Sequence, residues 1–152
     1  MNNTEYKHKI QVRVRTFEID FMGIVHNANY LKYMEIGRVE YERNLGHRFQ
    51  RNGILETGMK IVVVHNSIDY KGFAYLDDLL NIYTRISWIK NSSFCFEQVI
   101  EKDSDKSIIC EGKGILVNLN SMTNLADTIG EKFIKEIEDF EGRKLKIENG
   151  KL

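Results

Sequence analysis

The chain has 152 residues, 42% of them apolar and 29% charged, with 22 Lys and Arg set against 22 Asp and Glu. That length fits one domain able to bury about two thirds of the surface its unfolded chain exposes, and the balanced charge gives no sign of a nucleic-acid partner, which requires a concentrated basic face. The longest apolar runs, such as Ile61 to Val64, fall far short of the roughly 20 residues of a membrane-spanning helix, and the Met-Asn-Asn-Thr-Glu-Tyr-Lys start carries no apolar signal region, so a cytoplasmic location with no membrane partner is expected.

Lys9 to Phe17 alternates, with Ile10, Val12 and Val14 on one face and Gln11, Arg13 and Arg15 on the other, which predicts a strand. The next segment, Asp20-Phe21-Met22-Gly23-Ile24-Val25-His26-Asn27-Ala28-Asn29-Tyr30, places an acidic residue, a glycine turn and a polar helix start in one short connection. A helix is expected from near Asn27 to Gly46, a residue suited to a left-handed cap. Its buried face is Tyr30, Met34, Gly37, Tyr41 and Leu45, and Arg38 is spaced for ion pairs with both Glu35 and Glu42.

Downstream the period changes to two. Ile61 to Tyr70 reads as a strand followed by the turn-rich Tyr70 to Asp78. Leu80, Ile82, Ile86 and Trp88 then alternate with Asn81, Tyr83, Arg85 and Ser87, which points Trp88 inward. Phe94 to Glu101 and Ile108 to Leu119 are strands about a turn at Lys102 to Ser107. A simple hairpin there sets Cys110 opposite Val99 and Cys95 opposite Gly114, so two reduced buried thiols are expected rather than a disulfide. Thr128-Ile129-Gly130-Glu131 has capping-box spacing for a closing amphipathic helix that ends by Gly142, and Arg143 to Leu152 is expected to fray or extend an edge. The order predicts a single α+β domain over residues 1–152, with an antiparallel sheet of about five strands and the helices on one face. One long helix cannot cover such a sheet, so pairing with a second chain is expected.

Whole reaction classes are absent from the sequence. It has no P-loop, no dinucleotide glycine fingerprint, no Gly-x-Ser-x-Gly elbow and no His-Glu-x-x-His helix. His8, His26, His47 and His65 lack metal-ligand spacing, so no metal is expected. Asp20 stands three residues before Gly23 and seven before the expected helix start, where orphan amides can hold a carbonyl oxygen while the carboxylate attacks or activates water. An aspartate in such a loop more often caps a turn than catalyses, and spacing does not separate the two.

The pattern Asp20-x-x-Gly23-Ile24-Val25-x-Asn27-x-Asn29-Tyr30-Leu31, then Tyr33-Met34-Glu35-x-x-Arg38 and Leu45-Gly46, resembles the hydroxybenzoyl-CoA thioesterase family of hotdog-fold enzymes. Tyr75-x-Asp77-Asp78-Leu79-Leu80-x-Ile82-x-Thr84, with Trp88 and Phe94 beyond it, resembles that family's second and third strands. The resemblance implies a hotdog fold, a five-stranded antiparallel sheet wrapped around a long central helix, assembled as a homodimer or homotetramer with active sites at the dimer interface. It implies an acyl-CoA thioesterase in which Asp20 is nucleophile or general base and the Asn27 N–H polarises the thioester carbonyl, with Gly23 permitting the tight approach of the loop. Gly23, His26, Tyr30 and Lys90 are the positions expected at the substrate, Lys90 standing where relatives carry a basic cluster for the phosphates of coenzyme A. Lys71 and Arg85 are the alternatives for that contact. No cofactor beyond the coenzyme A of the substrate is implied. Many members carry histidine or tyrosine where this chain has Asn27, with His26 one place earlier. Other readings are hydrolysis of acyl groups on acyl carrier protein and a noncatalytic acyl-thioester binding module.

Overall fold

The computed structural model describes residues 5–147. Their elements are β1 (His8–Arg13), a 3-10 turn (Thr16–Glu18), α1 (Asn29–Asn44), β2 (Lys60–Tyr70), β3 (Leu79–Ile89), β4 (Ser93–Lys102), β5 (Ile108–Leu119), α2 (Glu131–Glu141) and the short β6 (Lys146–Ile147). The five main strands run antiparallel in the order β1-β3-β4-β5-β2, and β6 pairs in parallel with the end of β3 at Trp88 and Ile89. The charged tail therefore extends an edge as far as Ile147; its last five positions lie outside the described residues.

Several boundaries and registers differ from the sequence reading, each for a local reason. The first strand stops at Arg13 rather than Phe17, because the Glu18 carboxylate accepts the Arg15 N–H at 2.7 Å and folds the next residues into the 3-10 turn. The closing helix begins at Glu131 on an extended Gly130, and Thr128 makes no cap because its hydroxyl turns to Asn91 Oδ1. Gly142 ends that helix as expected, in the left-handed region at φ +69. An irregularity at Ser87 shifts the β3–β4 register, so Ile89 is buried and Trp88 is turned partly outward under the Lys90 ammonium. A second irregularity admits Ile109 as an extra residue of β5, so Cys110 faces Ile100 and Cys95 faces Ile115, one place from the simple hairpin. Both cysteines are free and buried, and burial pushes the Cys110 thiol up to about 12.

Helix α1 lies very close to the sheet. A Cβ on Gly37 would stand 2.6 Å from Gln98 Nε2 and 2.8 Å from Ile82 Cγ2, and one on Gly112 of β5 would stand 2.6 Å from Met34 Cε. Gln98, wholly enclosed between helix and sheet, donates to the Met34 carbonyl at 2.8 Å and to Thr84 Oγ1 at 3.0 Å. Around the first half of α1 the core gathers Tyr30, Tyr33, Met34, Leu80, Ile82 and Ile100. Around the second half it gathers Tyr41, Phe94, Phe96, Phe133 and Ile137, which brings α2 against the same layer.

The two helices are joined by a buried histidine. His47 Nδ1 meets Glu42 of α1 at 2.5 Å and Nε2 meets Glu136 of α2 at 2.5 Å, with the ring stacked on Phe133. The Glu42 hydrogen bond, reinforced by Glu136, raises the His47 pKa against the opposing effect of burial, and burial raises that of Glu42. Both shifts mean that the folded state holds protons more tightly than the unfolded one, so the stability they contribute is present at low pH and is lost as pH rises through the folded His47 pKa. We expect the urea midpoint of the wild type to fall as pH rises above about 6.5, the ordinary imidazole value, and the midpoint of His47→Gln to be lower at pH 6 and nearly flat above it; equal slopes for the two proteins would contradict the clamp.

Candidate active site

The connection between β1 and α1 is built as a small hairpin. Ile19 bridges Val25, the Asp20 N–H donates to the Ile24 carbonyl at 2.9 Å and the Gly23 N–H donates back to the Asp20 carbonyl at 3.0 Å. The turn requires φ +80 at Gly23, a conformation that glycine adopts without a Cβ penalty. At its head the Asp20 carboxylate accepts the Met22 N–H through Oδ1 at 2.8 Å. Asp20 thus caps its turn, and that bond fixes its orientation, while Oδ2 has no partner among the described residues. The tip beside it presents Phe21 and Met22 to solvent, 97% and 69% exposed.

Three bonds anchor this hairpin to the rest of the chain. The Val25 N–H donates to the Ala74 carbonyl at 2.9 Å, and the His26 N–H and the Asn29 side-chain amide both donate to the Glu18 carbonyl. His26 Nδ1 accepts the Ala28 N–H at 3.0 Å, so His26 shapes the helix entry. Because a turn from His26 to Asn29 comes first, α1 starts at Asn29, two residues past Asn27. Asn27 is exposed just ahead of the helix, and its carbonyl accepts the Tyr70 hydroxyl at 3.1 Å. Among the described residues its N–H has no acceptor.

The remaining expected positions are spread more widely. Tyr30 is buried in the core, edge-on to Tyr33 and Tyr70, and burial pushes its phenol up to about 12. Lys90 stacks its ammonium on Trp88 at 5.0 Å, at the far end of β3 from its Leu79 start. Of the alternatives, Arg85 is held by Glu97 at 2.7 Å and Glu5 at 2.6 Å, and Lys71 by Glu111 at 3.2 Å. Neither ion pair expected of Arg38 forms: its guanidinium turns into the fold and donates to Gln98 Oε1 at 3.3 Å, and Glu42 goes to His47. The structure therefore brings Asp20, Gly23, His26 and Asn27 together in one connection, packs Tyr30 behind it and leaves Lys90 elsewhere.

Sequence reasoning missed Glu18, Asn29, Tyr70 and Ala74 as the frame of this loop. Arg15-x-x-Glu18 has capping spacing that signals the turn, but the long-range bonds of Ala74 and Tyr70 leave no periodic trace.

A family profile described as the thioesterase-like superfamily matches residues 14–137. The chain belongs to that superfamily. Among relatives of this thioesterase-like chain, the acyl-CoA thioesterase YbgC of Haemophilus influenzae is 37% identical over 93 residues, 61% of this chain and 68% of that one. The chloroplastic acyl-acyl carrier protein thioesterase ATL2 of Arabidopsis thaliana is 31% identical over 114 residues, 75% of this chain and 60% of that one. A solved thioesterase from Thermus thermophilus, complexed with coenzyme A and zinc, superposes with a TM-score of 0.79 at 26% identity, covering 93% of this chain and 98% of that one. The fold is the hotdog fold, with the sheet curved around α1.

The space around a Cβ on Gly23 is open, so its φ alone makes it a glycine. We expect Gly23→Ala to lower stability by about 1–2 kcal/mol through left-handed strain and Gly23→Asn to lose less, as asparagine tolerates that region; a urea titration in which alanine is as stable as wild type would contradict the turn.

Proposed function

We propose that the chain hydrolyses acyl-CoA thioesters to the free acid and coenzyme A, with Asp20 as the acting carboxylate. One observation carries the reading: Asp20 Oδ1 is tied to the Met22 N–H while Oδ2 is uncommitted, at the mouth of a helix entry with an unpaired Asn27 N–H. In one course Oδ2 attacks the thioester carbonyl, the carbon–sulfur bond breaks, and water opens the resulting anhydride. In the other, Oδ2 takes a proton from the water that attacks. Either way the thiolate leaves and is protonated, and negative charge develops on the carbonyl oxygen, where the Asn27 N–H would stabilise it. Gly23 sets the turn, and His26 and Tyr30 shape and back the entry. Lys90, just past the Ile89 end of β3, is assigned to the nucleotide end of the substrate. No metal or separate cofactor enters this scheme. Membership of the superfamily and the YbgC relative support it.

The active unit in this reading is a homodimer, with a homotetramer as its further assembly. Among the described residues strand β2 pairs only with β5, so its outer edge is a long row of backbone groups without a described partner, and Val63 to Ser67 along it are exposed. Antiparallel pairing of that edge with a second copy would satisfy those groups. No described helix is long and apolar enough to cross a membrane, which accords with the cytoplasmic location we assign.

The likeness to the Arabidopsis protein favours a second reading, in which the acyl group arrives on acyl carrier protein. A noncatalytic binding module has no use for an oriented carboxylate at the helix entry. Thiol release should be measured over short, long, branched and aromatic acyl-CoA esters, with one acyl chain also supplied on acyl carrier protein. We expect Asp20→Asn to lose about 10²–10⁴-fold in kcat while acyl-CoA binding persists; undiminished turnover would remove Asp20 from the reaction, and preference for the carrier-protein ester would favour the second reading.

A further inference from the structure

Arg38 is 7% exposed, yet no carboxylate of the described residues lies within 4.0 Å of its guanidinium. Among the described residues its sole side-chain bond is the 3.3 Å contact with Gln98 Oε1, a neutral acceptor. Glu42, one turn on, is committed to His47, and Glu35 acts on Arg38 only at longer range, partly offsetting the lowering of its pKa by burial. A guanidinium has five N–H donors, and enclosing them without an anion is costly. Such a group is kept where something else completes it.

The place it occupies suggests what that is. Arg38 reaches from α1 over β5, where a Cβ on Gly114 would lie 3.4 Å from Nη1, and glycine is what leaves it room. There it lines a cleft of about 190 Å³ between α1 and β2, whose walls include Val39, Phe49, Ile61 and Phe96. Two carboxylates line the same cleft, the exposed Glu35 and Glu42, and Oε1 of Glu42 is buried without a partner among the described residues. Hydrocarbon walls with a cation and an unmet acceptor make a receptor for a short chain that ends in oxygen. The Tyr70–Asn27 bond puts the helix entry at the Tyr70 end of β2, while Ile61 and Val63 of the cleft lie towards the Lys60 end. Antiparallel pairing of two β2 edges would bring the Asp20 turn of a second copy to the mouth of this cleft.

We propose that the cleft between α1 and β2 receives the acyl chain, and that Arg38 selects acyl groups whose far end carries an oxygen function, carboxyl or hydroxyl, over plain hydrocarbon of the same length. The inference rests on the thioesterase reading above. A carboxylate would meet the planar guanidinium fork through two bonds; a hydroxyl would accept from Arg38 and donate to Glu42.

The test compares hexanoyl-, 6-hydroxyhexanoyl- and adipoyl-CoA on wild type, Arg38→Met and Arg38→Lys, together with calorimetric binding of the three free acids. We expect at least one oxygen-tipped ester to exceed hexanoyl-CoA by about tenfold or more in kcat/KM, since a site built to hydrogen-bond a polar group rejects the analogue lacking it. Arg38→Met should bring the three esters within about threefold of one another, and Arg38→Lys should keep part of the preference. A wild type that favours hexanoyl-CoA overturns the proposal without recourse to any variant, as does a preference that survives in Arg38→Met. If none of the esters is hydrolysed, the thioesterase reading fails, and the free acids still decide the cleft: tighter binding of adipate or 6-hydroxyhexanoate than of hexanoate, lost in Arg38→Met, supports selection by Arg38, and equal binding overturns it.

Discussion

The seating of α1 on the sheet is the constraint from which the rest of the molecule follows. Side chains at Gly37 and Gly112 would collide with Gln98 and Met34, and because both are glycine the helix backbone comes close enough for Gln98 to bond the Met34 carbonyl from inside the sheet. Close packing of this kind leaves no freedom to slide, since a shift of a fraction of a turn would bring Cβ atoms into contact. Two things follow in space. The start of the helix is pinned beside the end of β2 and the 71–78 connection, where Tyr70 holds the Asn27 carbonyl and Ala74 holds Val25 of the Asp20 hairpin. The side of the helix towards β2 is left as a cleft over Phe96 and Leu116, with Arg38 at its edge.

The sequence carried the fold almost entirely, because the elements differ in period. The helix repeats at three and four and the strands at two, so the order and type of the two helices and five main strands are legible, though not the 3-10 turn or β6, and the hotdog arrangement follows from the resemblance. What periodicity does not report is irregularity. A single extra residue at Ser87 exchanged Trp88 for Ile89 in the core, and Ile109 displaced each cysteine by one partner, although nothing in the composition of either strand marks the site. Boundaries shifted where a side chain preferred a local bond to the next turn of the pattern, as Glu18 does with Arg15 and Thr128 with Asn91.

For the candidate site, the residues adjacent in sequence were the readable ones. Asp20, Gly23, His26 and Asn27 form one connection, and a loop between a strand and a helix keeps its neighbours together whatever the tertiary detail. Arg38 is the instructive departure. Spacing along the helix offered it two carboxylates, but the i±3 and i±4 rule describes a helix in water; here Arg38 and Glu42 are buried while Glu35 stays exposed, so the guanidinium turns in to Gln98 and Glu42 bonds His47. Once Arg38 left the solvent its spacing no longer set its partners, and it stands without a described carboxylate partner beside a cleft of mixed lining.

In the proposed reading one site needs two copies of this chain, the Asp20 turn of one and the α1–β2 cleft of the other. Sedimentation and specific thiol release followed together on serial dilution test it most directly. Activity per chain is expected to fall in step with the dimer fraction. A monomer that releases thiol at the undiluted rate per chain would contradict it.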